Sequence, residues 1–262
     1  MSKIKMYQID AFTDRVFHGN PAAVCVLDEW LEDKKMQQIA AENNLAETAF
    51  LVPNGSDYEI RWFTPTVEVD LCGHATLASG FVLFHYYNHP TNTVNFQSRN
   101  SGLLTVDRAG EELTLNFPAD VYQRVEAPQA LVQALGVTPA EAYKGKTDYL
   151  LLFQNQAEIK GLAPDFRLMA TVEARGTIVT APGEDVDFVS RFFCPQVGID
   201  EDPVTGSAHT TLTPFWSQRL NKKVLRARQI SARGGELTCE FLGNRVKITG
   251  KAVAYLTGEI EV

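Results

Sequence analysis

Two stretches of this chain, 130 residues apart, carry nearly the same text. Arg61-Trp-Phe-Thr-Pro-Thr-Val-Glu-Val-Asp70 and Arg191-Phe-Phe-Cys-Pro-Gln-Val-Gly-Ile-Asp200 agree at five of ten positions, where average composition gives roughly one chance identity or fewer. Further on the offset becomes 133. Gly73, Ala75, Ser98, Gly102, Leu104, Thr105 and Gly110 then meet Gly206, Ala208, Ser231, Gly235, Leu237, Thr238 and Gly243. A single three-residue insertion in the second copy, Glu201-Asp202-Pro203, reconciles both blocks. A duplicated chain folds as two copies of one unit. We therefore expect domains at 1–118 and 119–251. The tail 252–262 has no counterpart after the first copy and is expected to return to the first unit as a strand.

Within the first copy, Val24–Leu27 and Ala49–Val52 read as short buried strands flanking a helical pattern at Trp30–Glu42. Asp57–Phe63 alternates like a strand. A helix is expected from Gly73 to about Tyr87, stopped by Asn88-His89-Pro90. Strands at Thr93–Gln97, Leu103–Asp107 and Glu112–Phe117 follow. The helix is apolar on every face (Leu77, Ala78, Phe81, Val82, Leu83, Phe84), which marks a buried helix. Its counterpart is expected to begin near Gly206 and run to Leu220, perturbed by Pro214. Strands around one buried helix, twice, make an α+β architecture.

Composition removes several function classes. The chain carries 24 basic and 32 acidic residues, a net charge of −8, which argues against nucleic acid as the main partner. The longest apolar stretch, Ala78–Tyr87, is broken by Gly80 and His85 and is too short to span a bilayer. The N-terminus runs directly into a strand, without an apolar stretch of signal-peptide length. Cys25, Cys72, Cys194 and Cys239 form no C-x-x-C pair. A reducing cytoplasm is the expected location. Phosphate-loop, dinucleotide and serine-hydrolase motifs are absent from the sequence.

Chemistry is expected where the buried helices begin. Cys72-Gly73-His74-Ala75-Thr76 opens the first and Thr205-Gly206-Ser207-Ala208-His209 the second. A helix start offers unpaired N–H groups and the positive dipole end. Two such starts facing one cleft would hold a carboxylate. The competing reading is that Gly73 and Gly206 only allow close packing. His74 would be held neutral by the dipole, able to shuttle a proton. Asp202 lies in the insertion, outside the shared fold; a turn or cap role competes with a catalytic one. Glu47 also breaks the symmetry, since position 177 is Thr. It is either an exposed strand end or a buried acid suited to proton transfer. Cys72 is equally readable as an activated thiolate or a small buried hydrophobe. His85 and His89 have helical spacing but sit at a helix C-terminus, which the dipole explains better than a metal.

His18-Gly-Asn-Pro-Ala-Ala-Val24, Glu47-Thr-Ala-Phe50, Arg61-Trp-Phe-Thr-Pro65, Leu71-Cys-Gly-His-Ala-Thr76 and Glu201-Asp-Pro-Val-Thr-Gly-Ser-Ala-His209 together resemble the phenazine-biosynthesis PhzF-like family over essentially the whole chain. The resemblance implies a diaminopimelate-epimerase-like fold, two pseudo-symmetric domains, each a mostly antiparallel β-barrel around a central helix. It makes Glu47 the general acid/base, with His74, Asp202 and Ser207 as catalytic partners. Asn20, Gly73, Gly206 and Cys72 fall at substrate-binding positions. The expected function is cofactor-independent isomerisation of a small carboxylate metabolite, without metal, nucleic acid or membrane, and with a homodimer left open. Two alternatives stand: a two-base amino-acid racemase or epimerase, and a non-catalytic metabolite-binding or interaction protein. The racemase would need a second base at Thr205, the counterpart of Cys72. A hydroxyl is a poor one.

Overall fold

The computed structural model describes residues 3–262. Contacts divide the chain into two units: residues through Asn116 with Thr249–Val262, and Phe117–Ile248. In chain order the first unit holds β1 (Lys3–Ala11), β2 (Asn20–Val26), α1 (Asp33–Asn43), β3 (Glu47–Asn54), β4 (Asp57–Phe63), β5 (Glu68–Val69), α2 (Gly73–Tyr86), β6 (Thr93–Ser98), β7 (Gly102–Ala109) and β8 (Glu112–Pro118). The second holds β9 (Gln123–Val125), α3 (Gln129–Leu135), β10 (Glu141–Lys144), β11 (Asp148–Leu152), α4 (Gln156–Lys160), α5 (Phe166–Met169), β12 (Gly176–Pro182), β13 (Phe188–Cys194), β14 (Ile199–Asp202), α6 (His209–Leu220), β15 (Val224–Gln229), β16 (Gly235–Phe241) and β17 (Arg245–Gly250). The chain changes unit inside β8 and inside β17, so the limits fall at Asn116 and Ile248, not at Pro118 and Lys251. The last strand, β18 (Ala252–Glu261), runs antiparallel along the whole of β1.

Both units follow one pairing scheme. In the first, β3 lies parallel to β2 and antiparallel to β4, which also pairs antiparallel with β5 and parallel with β6. In the second, β12 lies parallel to β11 and antiparallel to β13, which pairs antiparallel with β14 and parallel with β15. Helix α2 packs on β1, β2, β3, β7 and β18, and α6 on β15 and β16. Residues Gly73–Gly80 are all buried, as the all-round apolar pattern requires. Gly80 lets the helix approach β7: a Cβ there would lie 2.6 Å from Val106 Cγ1. The outer faces differ. In the first unit α1 alone covers the sheet, through Met36, Ile39 and Ala40. In the second, α3, α4 and α5 share that work, through Leu131, Ile159 and Met169.

Sheet register corrects the position of the insertion. Trp62 and Phe63 pair with Val69 and Glu68; Phe192 and Phe193 pair with Asp202 and Glu201. Glu201 thus occupies the place of Glu68, and Asp202 that of Val69. The extra residues lie in the 3₁₀ turn Pro195–Val197 and in the register shift between Phe193 and Cys194. The same pairing makes Gly176, not Thr177, the counterpart of Glu47, because Thr48 and Thr177 oppose Phe63 and Phe193. The second central helix also starts later than Gly206. Gly206–Ala208 form tight turns, with His209, Thr210 and Thr211 bonding back three residues, and regular helix begins at His209.

One arginine holds each turn in place. Arg61 donates to both carboxylate oxygens of Glu68 at 2.7 and 2.6 Å and stacks 5.1 Å above Phe63. Arg191 donates to both oxygens of Glu201 at 2.7 and 2.8 Å and stacks 4.8 Å above Phe193. Each spends its remaining nitrogen on the covering helices, Arg61 on Asp33 at the start of α1, Arg191 on the carbonyls of Ile159 and Leu162. Bidentate pairs of this kind are strong and geometrically specific. The Arg61 side chain is only 2% exposed. Arg61→Met should therefore destabilise the protein by about 3 kcal/mol, the low end for a broken buried pair because Glu68 and Asp33 still reach solvent. Urea unfolding checks this; breaking the exposed Lys3–Glu259 pair should leave the midpoint nearly unmoved.

Candidate active site

Glu47 opens β3 and His74 is the second residue of α2. The turn fixed by Arg61 brings them together: Glu47 Oε2 lies 3.2 Å from His74 Nε2, with side chains 14% and 4% exposed. On the other side of the ring, the amide of Asn20, first residue of β2, lies 3.0 Å from His74 Nδ1. Cys72 Sγ lies 3.5 Å from Nδ1 and 4.0 Å from Nε2. Gly73, between Cys72 and His74, begins the helix and is buried. The first unit therefore gathers Asn20, Glu47, Cys72, Gly73 and His74.

Burial opposes charge on His74, but Cys72 and Glu47 beside it more than offset this, and its pKa is raised well above the ordinary imidazole value. This runs against the expectation of a neutral imidazole, since neighbouring groups favour the charged ring. A ring protonated on both nitrogens has only donors to offer. From Nε2 it donates towards Glu47, while Nδ1 faces the Asn20 amide nitrogen at 3.0 Å. Burial, with the Glu47 charge adding to it, pushes the Cys72 thiol up to about 11. A thiol pushed up in this way favours the reading of Cys72 as a small buried side chain over that of an activated thiolate. Glu47, Cys72 and His74 each present a donor atom, all within 4.8 Å of one another. His85 and His89 take part in no such cluster; His85 stacks on Phe81 and His89 meets Phe84 edge-on.

The second unit is built differently at the equivalent places. Gly176, opposite Glu47, has no room for a side chain, because a Cβ would stand 2.3 Å from Phe192 Cζ. Thr205, opposite Cys72, donates its hydroxyl to Asp202 Oδ2. Gln229 accepts from Thr205 N–H at 2.9 Å and donates to the Asp202 carbonyl at 2.7 Å. Asp202 is thus at least a turn-stabilising residue ahead of α6, the role that competed with catalysis. Gly206 gives its carbonyl to His209 N–H.

Arg175, which the sequence reading missed, donates to both oxygens of buried Asp148 and, at 2.9 Å, to Ser207 Oγ. Arginine has no acceptor, so Ser207 accepts from it and keeps its own hydroxyl proton to give elsewhere. Only the register, which places Arg175 one residue before the Glu47 counterpart, would have drawn attention to it.

His209 stands where the first helix has Thr76. Its Nδ1 donates to Thr205 O at 2.8 Å, while buried Nε2 has no hydrogen-bond partner among the described residues.

A phenazine biosynthesis-like family model matches residues 9–258. The chain belongs to that family. It is 52% identical over 261 residues to an uncharacterized isomerase of Pseudomonas aeruginosa, covering 99% of each chain. It matches a phenazine biosynthesis PhzF-family crystal structure from Enterococcus faecalis with TM-score 0.96 and 46% identity, covering 100% of both. The fold extends to a predicted epimerase of Pseudomonas aeruginosa, at TM-score 0.76 and 20% identity over 99% of both chains. The α+β, diaminopimelate-epimerase-like architecture is that of these relatives. No helix among the described residues is long and apolar enough to cross a membrane.

Burial pushes His209 down to about 4, against a smaller upward pull from its bond to Thr205. Unfolded, it takes its proton near pH 6.5; folded, it resists until about 4. Stability is therefore lost as pH falls through that window, by up to about 3 kcal/mol. Chemical denaturation at pH 7 and 4.5 should show a smaller loss for His209→Gln than for the wild type. Parallel profiles would contradict this assignment.

Proposed function

We propose that the protein is a cofactor-independent isomerase of a small carboxylate-containing metabolite, with Glu47 moving a proton between carbons on one face of the substrate. One observation carries this reading: the buried Glu47–His74 pair in the first unit has at its counterpart a glycine whose side-chain space Phe192 fills. This asymmetry supports a single base. Relatives bearing the name isomerase support the reaction class.

In the proposed cycle the Glu47 carboxylate takes a proton from a substrate carbon. The positive charge of His74 stabilises the negative charge that develops on the substrate. Glu47 then returns the proton to another carbon, and the double bond has moved. The N–H groups at the start of α2 favour an anionic substrate. Asp202 and Ser207 enter as catalytic partners and Gly206 as a substrate-binding position through the family resemblance, Ser207 as a hydroxyl donor because Arg175 occupies its acceptor side. Stereo-inversion by two bases is less well supported, because Cys72 is held as a thiol and the Thr205 hydroxyl is engaged by Asp202.

Small carboxylic acids incubated with the protein in deuterated water test this by mass spectrometry. The expected result is deuterium incorporation with conversion to a positional isomer. Glu47→Gln should lower the rate about 10²–10⁴-fold while leaving binding, whereas Cys72→Ser should keep it within about tenfold. The reverse ranking would restore the racemase. Binding without exchange for every acid would favour the non-catalytic alternative.

A further inference from the structure

Ser207 holds the place in the second unit that His74 holds in the first, as Gly206 does for Gly73. A charged side chain meets each of them. Glu47, which opens β3, meets His74, and Arg175, one residue ahead of β12, meets Ser207. Equivalent places thus carry groups of opposite sign, a carboxylate in the first unit and a guanidinium in the second.

Arg175 is held more firmly than a surface arginine. Its Nε donates to Asp148 Oδ1 at 2.9 Å and its Nη2 to Oδ2, while Cζ lies 5.4 Å from the centre of the Phe192 ring. The Asp148 side chain is 3% exposed and that of Arg175 34%, so a buried anchor carries a guanidinium that reaches solvent. Pairing the buried carboxylate needs only those two nitrogens. The bond from Nη1 to Ser207 Oγ, at 2.9 Å, goes beyond that need. Arg61 and Arg191 give their third nitrogens to a carboxylate and to carbonyls, which have no proton to pass on. Ser207 has one. A guanidinium can only donate, so the hydroxyl proton turns away from Arg175, and no acceptor takes it among the described residues. The bonds to Asp148 and Ser207 also leave one N–H unused on each Nη nitrogen.

We propose that Arg175 is a positioning residue that sets specificity: by filling the acceptor side of Ser207 it makes this place donor-only and selects a carboxylate over an amide. A carboxylate offers two acceptor oxygens and no proton, and hydrogen bonds to a charged acceptor are roughly twice as strong as neutral ones. An amide has one acceptor end, and its NH₂ end would face another donor. Asp148 balances the guanidinium charge, so the direction of the donors does the selecting. The binding claim stands on Arg175 and Ser207; that the carboxylate belongs to the molecule being isomerised rests on the proposed function.

The test titrates nitrogen-labelled, full-length protein with acetate and, separately, with acetamide, following the Arg175 guanidinium and Gly206 amide signals by NMR. Acetate should move both signals to saturation at a concentration about tenfold or more below that needed by acetamide. Ser207→Ala should cut this preference about tenfold, a ratio that a purely structural Arg175–Asp148 pair would leave unmoved. Arg175→Gln combined with Asp148→Asn gives the hydroxyl an amide acceptor and should bring the two ligands close to parity. Because turnover is not read, failure here is separable from failure of the isomerase reading. Neutron diffraction from the wild type requires no variant to fold, and should find the Ser207 hydroxyl deuterium turned away from Arg175. Signals that acetate does not move, equal binding of the two ligands, or a preference that survives in Ser207→Ala would overturn the proposal.

Discussion

The arrangement depends on a buried guanidinium gripping a carboxylate across a two-stranded turn. Arg61 with Glu68, and Arg191 with Glu201, each tie the strand before the central helix to the short strand that leads into it. The third nitrogen of each arginine reaches the helices that cover the sheet. A fork of five fixed donors can do this where an ammonium could not. The chain therefore enters α2 at one defined place, and His74 is delivered against Glu47 as a consequence.

Repeating the scaffold did not repeat the chemistry. At equivalent positions the first unit has Glu47, Cys72 and Thr76, and the second has Gly176, Thr205 and His209. In the first, a carboxylate meets an imidazole in a buried place. In the second, Phe192 fills the carboxylate's place, Asp202 holds the threonine hydroxyl, and the histidine is pushed towards neutrality by burial. Two histidines on equivalent helices are thus driven in opposite directions, one by its neighbours Cys72 and Glu47 and the other by burial.

The duplication, the buried helix and the cluster that the first unit gathers around His74 were legible because they are patterns of residue type. Glu47 broke the internal symmetry, and His74 followed a glycine at a helix start. Register was less legible. Aligning identities put the insertion at Glu201–Pro203, whereas hydrogen bonding puts it in the 3₁₀ turn and shifted register before Glu201. Identities count letters, but a strand shift is set by where the backbone finds its partners. The same one-residue error at β12 hid Arg175 and paired Glu47 with Thr177. The late start of α6 was also hidden, since glycine and serine suit a tight turn as well as a helix start. The ionisation of His74 could not be read from its place on the helix, because it depends on a carboxylate 27 residues earlier in the chain.

The central claim is that Glu47 holds His74 charged in a buried site. Nitrogen NMR of protein labelled at its five histidines, followed against pH in the wild type and in Glu47→Gln, measures this directly. In the wild type the His74 ring should stay protonated on both nitrogens at pH 7 and well above it. Glu47→Gln should move its titration down, while His209 continues to titrate near 4. A His74 ring that is neutral at pH 7, or whose titration ignores the loss of Glu47, would contradict the account.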